Sequence, residues 1–172
     1  MNVKAPGDST PREDALRLLA RREYSRAELV GRLSAKAHGA DAIAECLDAL
    51  AEQGLQSDER FAESFLRSRV MRGQGPLKIR QALSQRGIER ELIRTVFAEA
   101  QRDEQGDEQG DEQGGVDWFA LACETLARRF SGPGDTPRER ARRERFLAGR
   151  GFDFDQVRHA LAHAWDDPAT EN

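Results

Sequence analysis

Basic side chains around one Gly-Pro turn are the residues whose type and spacing most clearly indicate chemistry. They lie on both sides of Gly73-Gln74-Gly75-Pro76, where several like charges repel one another. An anionic surface would relieve this repulsion, because guanidinium groups bind phosphate or carboxylate oxygens in pairs. The sequence therefore predicts a partner-binding or DNA-binding cluster that consists of Arg67, Arg69, Arg72, Lys78 and Arg80.

A second basic cluster surrounds Tyr24 and consists of Arg21, Arg22 and Arg26. It is a weaker candidate for the same kind of binding. In both clusters the arginines could instead complement the C-terminus of a helix or simply cover a solvated face. Tyr24 could stack on a nucleotide base, but a tyrosine at such a position more often packs at a helix turn. We expect Tyr24 to pack.

No residue pattern points to catalysis, a cofactor or a metal. Ser, Cys and His form no nucleophile motif, and no Gly-rich loop has the spacing of a phosphate cradle. His159 and His163 lie four residues apart and could share a metal, but no third ligand is evident, so we expect an exposed pair. Cys46 and Cys123 are too few for a disulfide framework. We therefore expect a non-enzymatic, cytoplasmic protein.

The elements that must position these residues are helices. Thr10-Pro11-Arg12-Glu13 has a helix-capping residue, Pro at the first helical position and Glu three residues after the cap. Ser25 with Glu28, Thr136 with Glu139 and Asp153 with Gln156 repeat this capping pattern. Between the caps, apolar residues recur three or four apart, which is typical of amphipathic helices. The sequence predicts an all-α protein.

The helices follow an internal repeat. Leu29, Leu33, Ile43 and Leu47 match apolar residues 50 positions later, and a further shift of 64 pairs Gly87 with Gly151. Three tandem three-helix repeats are the simplest explanation. Ala37-His38 stands where the other repeats have Gly followed by an apolar residue, so we expect the second helix of repeat one to end differently. In repeat three we expect Phe119, Cys123, Leu126 and Phe130 to form the buried side of the first helix.

The repeats imply a division of the 172 residues into six segments. We expect repeats at 10–54, 55–102 and 116–165, an acidic linker at 103–115, and disordered ends at 1–9 and 166–172. Three copies of Asp-Glu-Gln-Gly make up the linker, and a calcium loop is disfavoured because the ligand spacing is wrong. The six acids of the linker account for −6 of the net charge of −4, so the rest of the chain carries +2. A mildly basic body suits a polyanionic partner.

Several segments in this order resemble the RecX family of bacterial regulatory proteins. They are Ala15-Leu16-Arg17-Leu18-Leu19-Ala20-Arg21-Arg22-Glu23-Tyr24-Ser25-Arg26-Ala27-Glu28-Leu29, Asp58-Glu59-Arg60-Phe61-Ala62-Glu63-Ser64-Phe65, Gly75-Pro76-Leu77-Lys78-Ile79 and Arg150-Gly151-Phe152. The resemblance covers about residues 12–165. It implies tandem three-helix repeats in an elongated, curved arrangement, in agreement with the repeat found from spacing.

The resemblance also implies a function. Members of the family bind the filament that the RecA recombinase forms on single-stranded DNA, and restrain its growth, ATP hydrolysis, strand exchange and co-protease activity. A role in homologous recombination, DNA repair and the SOS response follows, with the single-stranded DNA as a possible contact and a monomer as the simplest state. Two alternatives stay open: a helical protein that binds nucleic acid directly, without RecA, and a helical scaffold for a protein partner without DNA.

Overall fold

The protein is all-α over the residues that the computed structural model describes, 9–102 and 115–166. The expected terminal tails and acidic linker lie outside these residues, apart from Ser9, Gly115 and Asp166. Nine helices are present in the described ranges, in three consecutive sets of three. They are α1 (Pro11–Leu19), α2 (Arg26–Ser34), α3 (Ala40–Glu52), α4 (Asp58–Val70), α5 (Pro76–Gln85), α6 (Arg90–Arg102), α7 (Trp118–Arg129), α8 (Pro137–Arg150) and α9 (Phe154–His163). The prediction of three tandem three-helix repeats is confirmed. None of these helices is both long and apolar enough to cross a membrane.

Four of the helices begin at the capping boxes that the sequence predicts. At α1, the Thr10 hydroxyl accepts the Glu13 backbone N–H at 3.2 Å, and the Glu13 carboxylate accepts the Thr10 N–H at 2.9 Å. The same reciprocal pair of bonds forms at the starts of α2, α8 and α9. Each box satisfies backbone donors that the first turn of a helix leaves unpaired.

The second helix of every repeat ends in the same way, which corrects the expectation for Ala37-His38. Ala37 has a φ of +63°, in the left-handed region that Gly87 and Gly151 also occupy. The His38 N–H donates to the Leu33 carbonyl at 3.3 Å, as the Ile88 N–H does to Leu83 at 3.2 Å. This bond between residues five positions apart defines a Schellman ending, and it forms here without glycine. The backbone bond outweighs the cost of a Cβ in the left-handed region.

The chain divides into two compact units, and the division passes through the middle repeat. The first unit contains the residues up to Phe65 together with Leu83–Ile93, and the second contains Leu66–Ala82 together with the chain from Arg94 onward. The first unit holds a buried cluster of Ala15, Tyr24, Leu29, Leu33, Ile43, Leu47 and Leu50. The second unit holds Ala122, Leu126, Leu147, Phe152, Val157 and Ala160. Each unit therefore has its own apolar core.

Within each unit, the turn before one repeat's second helix packs on the turn after the next repeat's second helix. In the first unit, the Ser25 hydroxyl donates to the Arg86 carbonyl at 2.8 Å. In the second, the Gly75 N–H donates to the Arg150 carbonyl at 2.9 Å, and a Cβ on Gly75 would lie 2.3 Å from a Gly151 backbone atom. Ser25 and Gly75 are 50 residues apart, and Arg86 and Arg150 are 64 apart. The offsets of 50 and 64 residues that the sequence repeat shows therefore also relate these two equivalent contacts.

The buried side of α7 differs from the expected one. Trp118, Ala122, Thr125 and Leu126 are buried, whereas Phe119 is 41% exposed. Trp118 stacks on Phe97, with ring centroids 5.7 Å apart and 19° between the planes. The largest aromatic side chain of α7 therefore sets the rotation of the helix, because its burial removes the most apolar surface from water. Leu126 belongs both to the side expected from the sequence and to the side that is buried in the structure.

Candidate interaction surfaces

The basic turn between α4 and α5 lies in the second unit. Arg67, Arg72 and Lys78 are exposed, and Arg69 is half-buried. Neither Arg67 nor Arg72 forms a side-chain ion pair with any residue that the structure describes. The Lys78 ammonium donates to the Gly149 carbonyl at 3.2 Å, which leaves donors free. This turn therefore presents positive charge to solvent.

Arg80 differs from the other members of its predicted cluster because it packs against the core. Its guanidinium lies 3.9 Å from the centroid of the Phe97 ring, and burial lowers its pKa. A guanidinium stacked on an aromatic face gains a cation–π contact and gives up part of its hydration. The predicted role of Arg80 in partner binding stays a prediction, and its role in packing is visible.

The second predicted cluster lies in the first unit, and most of its charge is already paired. Arg22 lies 3.6 Å from the centroid of the Tyr24 ring and donates to the Glu23 carbonyl at 2.9 Å. Arg26 donates to Asp48 at 2.7 Å. Arg21 is exposed. Tyr24 itself is buried in the core, so the expectation that it packs rather than stacks on a base is confirmed.

Three arginines that sequence reasoning did not select share a surface with Arg72. Arg128 and Arg129 at the end of α7, and Arg150 at the end of α8, line one cavity of the second unit together with Arg72. The sequence did show an excess of arginine between positions 128 and 150. It did not show which of these arginines lie close together, because that depends on how α7, α8 and the end of α4 pack against one another.

Arg143 is an arginine whose role is structural. It is 9% exposed, and its Nε donates to the Gly132 carbonyl at 2.7 Å while Nη1 donates to the Glu139 carbonyl at 3.0 Å. Its guanidinium also lies 4.7 Å from the Phe130 ring centroid. These contacts hold the loop before α8 against the helix, which separates Arg143 from the exposed arginines of the same segment.

The histidine pair and the two cysteines are the other side chains that the sequence offers as metal ligands or nucleophiles. His159 and His163 are both exposed, as expected. The His159 ring meets Phe119 edge-on at 5.2 Å, and His163 Nδ1 lies 2.7 Å from an Asp166 carboxylate oxygen. Burial raises the pKa of the Cys46 and Cys123 thiols. An activated nucleophile would need the opposite shift, toward the thiolate.

Comparison with known proteins places this arrangement in one family. Family models described as the first, second and third three-helix domains of RecX match residues 12–50, 57–96 and 116–161. A "Regulatory protein RecX" of Chromohalobacter salexigens is 58% identical over 160 residues, which cover 93% of this chain and 96% of that protein. Another, from Halorhodospira halophila, is 45% identical over 169 residues, which cover 97% of this chain and 96% of that protein.

A solved structure shows the same fold at lower identity. The crystal structure of RecX from Lactobacillus salivarius has a TM-score of 0.66 at 22% identity, and the match covers 90% of this chain and 94% of that one. The match supports the fold, while the high-identity relatives and the three domain matches support the family. Three matched three-helix domains, in the order of the three repeats, show that the chain belongs to the RecX family of regulatory proteins.

Proposed function

We propose that this chain binds the RecA filament on single-stranded DNA and restrains filament growth, ATP hydrolysis, strand exchange and co-protease activity. Its relatives carry the name of a regulatory protein, which supports a regulatory role. The observation that carries the proposal is the exposed charge of Arg67 and Arg72, neither of which has an ion pair within the described residues. A nucleoprotein filament presents both protein carboxylates and DNA phosphates, and guanidinium groups bind either.

The turn has the properties that a regulatory surface needs. The guanidinium groups of Arg67 and Arg72 have no partner among the residues that the structure describes. The Gly75 N–H bond to the Arg150 carbonyl holds the turn before α5. A rigid support matters because less conformational freedom is lost when the surface binds. Through such a surface, the protein would act by occupying the filament, and the effects on DNA repair and the SOS response would follow from that occupancy.

A pair of charge reversals tests the role of this turn. We expect Arg67→Glu with Arg72→Glu to weaken binding to preassembled RecA filaments at least tenfold in a sedimentation assay. The reason is that both substituted side chains would then repel an anionic filament surface. The matched control is Arg138→Glu with Arg145→Glu, which changes the same charge at exposed positions of α8. Circular dichroism should show the same helix content in all three proteins.

Salt dependence separates the proposed function from direct nucleic-acid binding. Binding through many phosphates weakens steeply with salt, whereas an interface with substantial protein contacts weakens less. We expect the slope for filament binding to be shallower than the slope for binding to bare single-stranded DNA. Filament binding that the charge reversals leave unchanged, or that has the salt slope of bare DNA, would argue against the proposed function.

A further inference from the structure

A solvent-accessible cavity in the second unit has no assigned role. Its volume is about 260 Å³, and it lies where the end of α4 meets the C-terminal halves of α7 and α8. A water molecule takes about 30 Å³, so the space exceeds that of a single bridging water severalfold. We call it the Thr125 cavity, and the lining residues that matter here are Arg72, Gly73, Thr125, Arg128, Arg129 and Arg150.

The Thr125 hydroxyl is unusual. Thr125 is 6% exposed, and its Oγ1 is the one buried side-chain polar atom in the described ranges that has no hydrogen-bond partner. A hydroxyl in a helix can bond to the carbonyl one turn earlier, but this one does not. Buried polar groups are nearly always satisfied, so an orphan in the wall of a cavity points to a ligand that supplies the missing bond.

Four arginines from three segments supply positive charge around this hydroxyl. Arg128 pairs with Glu124 at 2.7 Å, but both side chains are mostly exposed, so the pair neutralises little. Neither Arg129 nor Arg150 has an ion pair with any carboxylate in the part of the chain that the structure describes. Four like charges at one cavity destabilise one another unless an anion is present.

Two of the lining residues are held in place by contacts that do not use up the cavity's donors. Arg150 Nη1 donates to the Arg72 carbonyl at 2.9 Å, and its guanidinium lies 5.1 Å from the Phe146 ring centroid. The remaining N–H groups of Arg150 stay available, because a guanidinium has five. The backbone of Arg72 and the side chain of Arg150 are therefore positioned before any ligand arrives.

Gly73 packs directly against the buried hydroxyl. Its φ is +66°, and a Cβ at this position would lie 2.7 Å from Thr125 Oγ1. Any larger residue would therefore fill the space next to the hydroxyl as well as strain the backbone.

We propose that the Thr125 cavity binds a phosphate group, with the Thr125 hydroxyl donating one hydrogen bond and Arg129 and Arg150 neutralising the charge. A phosphate fits better than a carboxylate, because a carboxylate is planar and is satisfied by one guanidinium fork. A tetrahedral oxyanion accepts donors from several directions, which matches donors that come from α7, α8 and the α4–α5 turn. The site does not depend on the proposed action on RecA.

Two sources could supply this phosphate: the backbone of single-stranded nucleic acid or a free phosphate. The probes are a twelve-residue oligothymidylate without terminal phosphates and inorganic phosphate. Each is titrated calorimetrically into the full chain at several ionic strengths that are the same for both probes. The cavity variants are Thr125→Val, which keeps the shape and removes the hydroxyl, and Arg129→Gln with Arg150→Gln. The matched control is Arg138→Gln with Arg145→Gln, two exposed arginines of α8.

We expect Thr125→Val to weaken binding at least fivefold and the double arginine variant at least tenfold, with the control within twofold of the wild type. Thr125→Ser should restore binding, because it restores the hydroxyl. If the oligonucleotide shows these losses, the source is a nucleic-acid backbone, and the salt slope should fall by about 1 for the double variant. If inorganic phosphate alone shows them, the source is a free phosphate.

Equal binding of both probes by the cavity variants and the control would overturn the site. A loss of binding in the control as large as that in the cavity variants would also overturn it, because the effect would then reflect total charge. Circular dichroism of each variant guards against misfolding. No arm contains RecA, and the cavity variants leave Arg67 and Arg72 unchanged, so failure of this site leaves the proposed filament binding untouched.

Discussion

At the scale of single residues, Asp14 is a buried charge with several hydrogen-bond partners. Its carboxylate is buried and accepts bonds from Ser9 at 2.8 Å, Arg17 at 2.7 Å and Lys36 at 2.7 Å, and lies 2.9 Å from His38 Nε2. The hydrogen bonds from Lys36 and His38 hold the pKa of Asp14 well below its ordinary 3.8. These bonds tie α1 to the end of α2, where Ala37 adopts its left-handed conformation.

Replacement of Asp14 by Asn should destabilise the protein and change its response to acid. We expect a loss of about 2 kcal/mol in the free energy of unfolding at pH 7, since charged hydrogen bonds are removed. Because the folded pKa is depressed, Asp14 stabilises the protein above the unfolded pKa of about 4 and loses this effect as the pH falls further.

The measurement is urea unfolding of wild type and Asp14→Asn at several pH values between 7 and 3, with exposed Asp41→Asn as the control. The difference in stability between wild type and Asp14→Asn should be constant down to about pH 4 and shrink below it. A difference that grows on acidification would contradict this account of Asp14.

The unpaired hydroxyl of Thr125 also has a consequence for stability. We expect Thr125→Val to raise the free energy of unfolding by up to about 1 kcal/mol in phosphate-free buffer, because the substitution removes a buried group that lacks a partner. Thr125→Ser keeps the hydroxyl and loses a buried methyl, so it should lower stability by about 1 kcal/mol. Thermal or urea unfolding distinguishes the two, and a destabilised Val variant would show that the hydroxyl is satisfied.

At the scale of elements, the ends of α2, α5 and α8 show how a repeat preserves geometry with different residues. Ala37, Gly87 and Gly151 have φ values of +63°, +76° and +93°. At Gly87, a Cβ would lie 2.5 Å from the Ala27 Cβ, so glycine is needed for space as well as for its backbone conformation. At Ala37 the backbone conformation alone is at issue.

Exchanging alanine and glycine at Ala37 and at Gly87 should therefore change the free energy of unfolding in opposite directions. We expect Ala37→Gly to raise the free energy of unfolding by about 0.5 kcal/mol, which is the relief of left-handed strain less the entropy of an extra glycine. Gly87→Ala should lower it by about 2 kcal/mol or more, because strain and a steric clash combine. Chemical denaturation of both variants checks the pair, and a destabilising Ala37→Gly would refute the assignment of strain to Ala37.

Local features of the elements could be predicted from the sequence, and features that depend on distant partners could not. The caps at Thr10, Ser25, Thr136 and Asp153 involve residues three apart, so the chain itself carries the signal. The buried side of α7 depends on where Trp118 meets Phe97, and the stacking of Arg80 depends on the same ring. Composition marked the arginine-rich segments, but only the packed turns show that Arg72 and Arg150 meet.

At the scale of the whole molecule, the charge distribution suits the partner proposed above. The net charge of −4 includes six acids within positions 103–114, and the rest of the chain carries +2. A basic body is attracted to a polyanion, and this attraction speeds association more than it sets the final affinity. The proposed preference for a filament over bare DNA therefore requires contacts with the protein part of the filament.

The most direct test of filament-directed regulation is a titration of this protein into a RecA filament on single-stranded DNA, with ATP hydrolysis as the readout. Binding to the same DNA without RecA is measured in parallel at the same salt. We expect hydrolysis to fall at concentrations well below those that coat bare DNA. Inhibition that appears only as the bare DNA becomes coated, or no inhibition at all, would contradict the proposed function.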